Sequence, residues 1–267
     1  MRQWQRSLVL ASAATLCSAA ALAHDTWLLP GKFREAPGGK VELVLTSGMA
    51  YPASETAIDP ARVERSGIRV GGETKTLTVG EKGKDALALT GTLPAAGVAT
   101  VWVELHPRTL ELTPEEVEEY LAEIGAPASV RERWMATPAP RRWRETYTKH
   151  TKTFVRVGEP QNDHSWARPV GLSFELVPGT DPTALKPGQE LTVVLTRASQ
   201  AAAGVAIGLV REGSPDAVLR TTDATGHATF VVPKAGRWLL RATDLRPGDG
   251  KEVDWVSDFT TLTFEVP

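Results

Sequence analysis

Apolar and polar residues alternate along most of this chain, and the alternation predicts short β-strands. In Lys40–Thr46, Val41, Leu43 and Leu45 share one face, and Gly38-Gly39 supplies the turn before them. Ile68–Val70 and Thr76–Val79 flank Gly71-Gly72, which reads as a hairpin turn. Ala99, Val101, Val103 and Leu105 alternate with Thr100, Trp102 and Glu104, giving a strand with one apolar face that ends at His106-Pro107. The period then changes. Thr113-Pro114-Glu115-Glu116 combines a capping residue, Pro at the first helical position and a glutamate three after the cap. Val117, Tyr120, Leu121 and Ile124 follow at helical spacing, and Gly125 ends the run. Ser129 with Glu132 reads as the cap of a second short helix carrying Trp134. After Pro138 and Pro140, Arg141–Tyr147 reads as a third, leading into a strand at Thr151–Val157.

Seven further strands are expected at 173–177, 191–196, 205–210, 217–221, 228–232, 237–242 and 261–266. Turn signals such as Pro187-Gly188, Gly213-Ser214-Pro215 and Pro247-Gly248 separate them. Short strands between Gly/Pro turns specify a mainly β protein of two sandwich-like domains, the second immunoglobulin-like or transthyretin-like. The expected organisation is a signal segment at 1–23 and an N-terminal sandwich at 24–158 with a helical insert near 113–150. A polar, exposed linker at 159–168 containing Pro160 and a C-terminal sandwich at 169–267 complete it.

The first residues change the picture. Arg2 and Arg6 precede an apolar run from Leu8 to Leu16, and Ala21-Leu22-Ala23 fits the small-x-small pattern of a signal-peptidase site. Leu16 before Cys17 does not fit a lipoprotein site, and no later stretch is apolar for the ~18 residues of a spanning helix. The chain is therefore expected to be periplasmic, cut after Ala23. The formal charge of −2 falls to −4 without Arg2 and Arg6, which disfavours a nucleic-acid partner. Cys17 is the sole cysteine, so a metal site in the mature chain must use histidine, carboxylate, amine or carbonyl, and Met49 and Met135 are too few for a Met-rich copper store.

A cut after Ala23 makes His24 the first residue. Its α-amine and imidazole can close a chelate on one metal, and both protons are displaceable near neutral pH, with reference pKa values of about 8 and 6.5. Cu(II) and Ni(II) take about four donors, so others must come from the fold. Asp25 offers a carboxylate, or caps the first strand. His150, beside Lys149 and Lys152, is the first candidate partner, set against a polar residue packed at a helix–strand junction. His106, at a strand end, is the next. His164 falls in the linker and His227 in a turn, where both read as solvated. No His-Glu-x-x-His pair, Gly-x-Ser-x-Gly elbow or phosphate loop is present, so an enzyme is not expected.

The segments His24-Asp25-Thr26-Trp27-Leu28, Tyr147–Lys152 running into Val155-Arg156-Val157-Gly158, Glu175–Pro178, Thr222–Gly226, Gly236–Leu239 and Thr261–Phe264, in this order, resemble the domain-of-unknown-function family 4198. Its members are often labelled periplasmic components of nickel or cobalt uptake. The resemblance implies export, a β-rich build, nickel or cobalt as the metal and a membrane metal transporter as partner; the donor chemistry of His24 adds Cu, so the cofactor is expected to be Ni, Co or Cu. It supplies no transferable ligand set. The reading is an exported metal carrier. Its alternatives are a metal-free binding or adhesion module and a copper oxidase built on a histidine brace.

Overall fold

The computed structural model describes residues 24–160 and 163–267; the expected signal segment lies outside them. The described residues form three sheets. The first has the order β1 (Asp25–Pro30), β3 (Lys40–Gly48), β8 (Leu87–Thr92), β7 (Thr78–Lys82), with β4 (Thr56–Ala57) also paired to β3. The second runs β16 (Ala217–Thr221), β15 (Ala206–Arg211), β18 (Gly236–Pro247), β19 (Trp255–Val266), β11 (Trp143–Val157), β9 (Gly97–Leu105), β5 (Val63–Val70), β6 (Glu73–Lys75). Two further strands, β10 (Arg108–Leu112) and β2 (Arg34–Glu35), pair with β11. The third has β12 (Phe174–Pro178), β13 (Glu190–Arg197) and β14 (Gln200–Ala201), with β17 (His227–Val231) on β13. Among the described residues no helix is long and apolar enough to cross a membrane.

The molecule is mainly β, as the alternation predicts. In β3, Val41, Leu43 and Leu45 are buried while Glu42 is exposed. They pack with Ala99, Val101, Val103 and Leu105 of β9, forming one sandwich core between the first sheet and half of the second. A second core lies between the other half and the third sheet, and holds Leu191, Val193, Leu195, Phe230, Leu240, Leu262 and Phe264. The large sheet is continuous between them, because β11 pairs in parallel with β19 from Glu145–Trp255 to Thr153–Thr263 and antiparallel with β9. Successive residues of a strand point to opposite faces. Val155 and Val157 accordingly enter the first core, and Phe154 the second.

The helical segment is shorter than the sequence predicts. Helix α1 (Pro114–Glu123) has the expected capping box, with Glu116 Oε2 accepting the Thr113 N–H at 2.8 Å. Helix α2 (Ala128–Ala136) starts without a side-chain cap, so Ser129 does not serve as one. Arg141–Tyr147 is not a third helix: from Trp143 on it is the first half of β11. Pairing with β10 and β19 overrides the local signal, and Trp143, Glu145 and Tyr147 alternate inward beneath the helices. The segment expected as a solvated linker is held down where it is described. Asp163 Oδ2 accepts the Val98 N–H at 2.8 Å, and Ser165 and Trp166 are buried. Arg69 donates to the carbonyls of Ser165, Arg168 and Pro169. Just beyond, the wholly buried Lys152–Glu175 pair fixes the turn, since Glu175 also accepts the N–H groups of Val170, Gly171 and Leu172.

Candidate functional site

Strand β1 is an edge strand, paired on one side with β3, and its other side is not left to water. Carbonyls two residues apart on a strand point the same way. Those of His24, Thr26 and Leu28 point across the large sheet, and each meets a donor. Lys149 Nζ of β11 donates to the His24 carbonyl at 2.6 Å. The Thr261 and Thr263 hydroxyls of β19 donate to the Thr26 and Leu28 carbonyls, both at 2.6 Å. Asp25 is fixed separately by Arg241, at 2.6 Å. Trp27 and Leu29 pack with Tyr51, Val210 and Leu239, joining the start of the chain to the C-terminal half.

His24 is half-buried where two clefts adjoin. The first, of about 410 Å³, is lined among others by His24, Asp25, Met49, Tyr51 and Arg241. Burial lowers the His24 imidazole pKa, and Lys149 adds to this against the opposing pulls of Glu55 and Asp25. The Tyr51 hydroxyl is buried with no hydrogen-bond partner among the described residues. Its pKa is raised, chiefly by burial, so it remains a neutral phenol. The Met49 side chain lines the cleft and is largely exposed. The second cleft, of about 230 Å³, opens on the other side of His24 and is lined by cationic side chains.

The sequence-predicted partners are not assembled around His24. Lys149 faces β1, so the next residue, His150, points through the opposite face of the sheet. There it is 1% exposed. Its Nε2 lies 3.2 Å from Asp258 Oδ1 and 3.2 Å from Ser173 Oγ, and its Nδ1 lies 3.4 Å from Glu104 Oε1. Burial pulls the His150 pKa down, but the two carboxylates outweigh it and hold it above the ordinary histidine value. His150 therefore sits buried between two carboxylates that favour its protonated form. The same geometry corrects its assignment as a ligand beside His24. His106 is exposed, with Nδ1 3.5 Å from Glu64, and lines neither cleft at His24. Asp25 is beside His24 but engaged by Arg241. His164 and His227 are exposed, the latter bonded to Thr225 in its turn. Among the described residues no group of three or more His, Cys, Asp or Glu stands ready to hold a metal.

The residues that build the site and that the sequence left unmarked are Lys149, Thr261, Thr263, Arg241 and Met49. One signal for the threonines was available: Thr261 and Thr263 alternate with Leu262 and Phe264, a polar face on a strand otherwise bound for the core.

A family model described as Domain of unknown function (DUF4198) matches residues 21–244. A comparison with curated proteins found no match. Among solved structures, the chain is similar to the Yersinia pseudotuberculosis adhesin InvE, at 15% identity over 91% of this chain and 59% of that one, with a TM-score of 0.21. It is also similar to murine CEACAM1b, at 10% identity over 91% and 98%, with a TM-score of 0.21. Bacteroides ovatus SGBP-B, solved with a mixed-linkage heptasaccharide, is 11% identical over 89% of this chain and 46% of that one, with a TM-score of 0.22. The chain spans about 59% of the adhesin's length. At these identities and scores the likenesses assign no ligand or partner to this chain.

Proposed function

The chain belongs to the DUF4198 family, a domain of unknown function, and from that footing we propose that it is an exported, non-enzymatic carrier of a late transition metal, Ni, Co or Cu, held at a free N-terminal His24. One observation carries the reading. The residue that a cut after Ala23 would expose is anchored at a cleft, its carbonyl held by Lys149 and the following carbonyls by Thr261 and Thr263. A terminus without a task usually frays. The held His24 carbonyl would lower the ordering cost of presenting a freed amine and an imidazole to an ion.

The donor chemistry fits in part. His24 would supply two nitrogens and Met49 a thioether from the same cleft, a set that suits copper best. Tyr51, kept neutral by burial, is a hydrogen-bond donor rather than a ligand. Asp25 would have to leave Arg241 before it could ligate. A bound metal would be stored or passed on by ligand exchange, and a membrane transporter would be its recipient.

The test begins with the intact mass of the exported protein, expected to start at His24. Calorimetric titration of Cu(II), Ni(II) and Co(II) should then show binding that weakens more than about tenfold in His24→Ala and in a form with one residue added before His24. The added residue turns the amine into an amide. His227→Ala serves as the control and should bind as the wild type does. Equal affinity for the native and extended forms, or a mature start elsewhere, rules the site out.

A further inference from the structure

The second cleft beside His24 carries charge that the metal reading does not use. Among the described residues lining it, Arg62, Lys82, Arg108 and Lys149 are cationic and Asp59 alone is a carboxylate. Asp59 is already engaged: Oδ1 accepts the Ala61 N–H at 2.9 Å, capping the short turn Pro60–Arg62, and Oδ2 lies 3.8 Å from Lys82. Lys149 holds the His24 carbonyl. Arg62 and Arg108 form no ion pair with any described carboxylate.

Arg62 is fixed in place. Its Nη2 donates to the His106 carbonyl at 2.9 Å, and the His106 N–H returns a bond to the Arg62 carbonyl at 2.8 Å. Its guanidinium carbon stands 5.8 Å from the centre of the Tyr147 ring. Its Nε is buried without an acceptor among the described residues. Arg108 enters on β10 directly opposite Tyr147 in the β10–β11 register. Burial, and beyond it the charge of Arg108, presses the Arg62 pKa downward against the pull of Tyr147. Two guanidinium groups converging with one engaged carboxylate is an arrangement that an added anion stabilises. A guanidinium matches the paired oxygens of a carboxylate or phosphate, and the Arg62 N–H groups not bonded to His106 remain as donors beside Arg108.

We propose that this cleft binds a small multivalent oxyanion, bearing carboxylate or phosphate groups, gripped by Arg62 and Arg108 with Lys82 at the rim. The cleft volume of about 230 Å³ suits an organic acid or a phosphate rather than a polymer. Such an anion would lie against His24, so the metal would arrive as its chelate. That extension rests on the metal reading; the anion site itself does not.

Citrate and inorganic phosphate, each titrated calorimetrically into the metal-free exported protein at low and at physiological salt, test the site. At least one should bind, more weakly at the higher salt. Arg108→Gln, at an exposed position, should weaken binding about tenfold or more, and Arg62→Gln at least as much, with thermal melts reporting that both variants are folded. His227→Ala, in a turn that lines neither cleft, should leave anion binding unchanged. Citrate without phosphate identifies a polycarboxylate ligand, and the converse a phosphate ligand. Failure of both to bind, or wild-type affinity in Arg108→Gln, overturns the proposal. Because no metal is present in these titrations, a failed metal site would leave their result standing.

Discussion

His150 shows how one residue's role is set by the face it occupies. Lodged between Glu104 and Asp258, it is buried against two carboxylates that favour its protonated form, and removing it takes that shared partner from both. Burial alone would raise both carboxyl pKa values. The His150 imidazole beside both, hydrogen-bonded to Asp258, together with Arg65 on Glu104 and Arg246 on Asp258, holds both below the usual range. The folded pKa of His150 is raised, so its stabilisation is fully present below about pH 6.5 and is lost as pH rises through the folded value. The depressed carboxylates contribute above about pH 4 and lose that contribution as pH falls through their folded values. His150→Gln should therefore cost about 3 kcal/mol near pH 5–6 and less in alkali. Urea unfolding of both proteins across pH checks this, and a difference that grows with pH would contradict it. A second residue-scale outcome concerns Gly67, where an added Cβ would lie 2.3 Å from the Trp102 ring. Gly67→Ala should lose about 1–3 kcal/mol in the same assay. The histidine itself was legible in the sequence as a buried or ligating residue. Its carboxylate partners, 46 residues before and 108 after, were not, because strand pairing brings them together.

At the scale of elements, β1 is held by side chains as much as by its partner strand. Each of its outward carbonyls that meets a threonine would be left buried and unpaired if the hydroxyl were removed, a loss of about 1–3 kcal/mol apiece. The double variant Thr261→Val, Thr263→Val preserves side-chain shape while removing both donors. It should lower the melting temperature and weaken metal binding at His24, with the anion site less affected. Unchanged stability would mean that these bonds contribute nothing net. The strand pattern of the C-terminal half was read closely from the sequence, because half-buried strands keep their alternation. The first half of β11 was misread as helix: Arg141-Arg142-Trp143-Arg144 carries helix-forming residues, and only pairing with β10 and β19 makes the segment extended.

For the whole molecule, the continuous large sheet matters more than a boundary drawn through residues 159–168. Two cores sit on its two faces, and β11 contributes side chains to both. Unfolding one sandwich would strip Phe154 or Val155 and Val157 of their surroundings and break the β11–β19 pairing. A single transition, coincident by tryptophan fluorescence and circular dichroism, is the expected outcome. Residues 24–158 expressed alone should fail to fold. Two separated transitions, or a folded fragment, would show that the halves are independent.

The sequence by itself determined the β character, the strand spacing, the capped helix, the turns and the position of His24 behind a small-x-small tripeptide. These are local matters of period, capping and glycine placement, which neighbouring residues decide among themselves. Only the tertiary structure decided which face of β11 each residue took, hence that Lys149 meets His24 while His150 does not. It also decided that the carbonyls of β1 meet threonines over two hundred residues away, and that Arg62 and Arg108 converge beside the first strand. The physical reason is that side-chain direction alternates with every residue, so which groups share a site follows from sheet order and register, and those are set by packing across the whole chain.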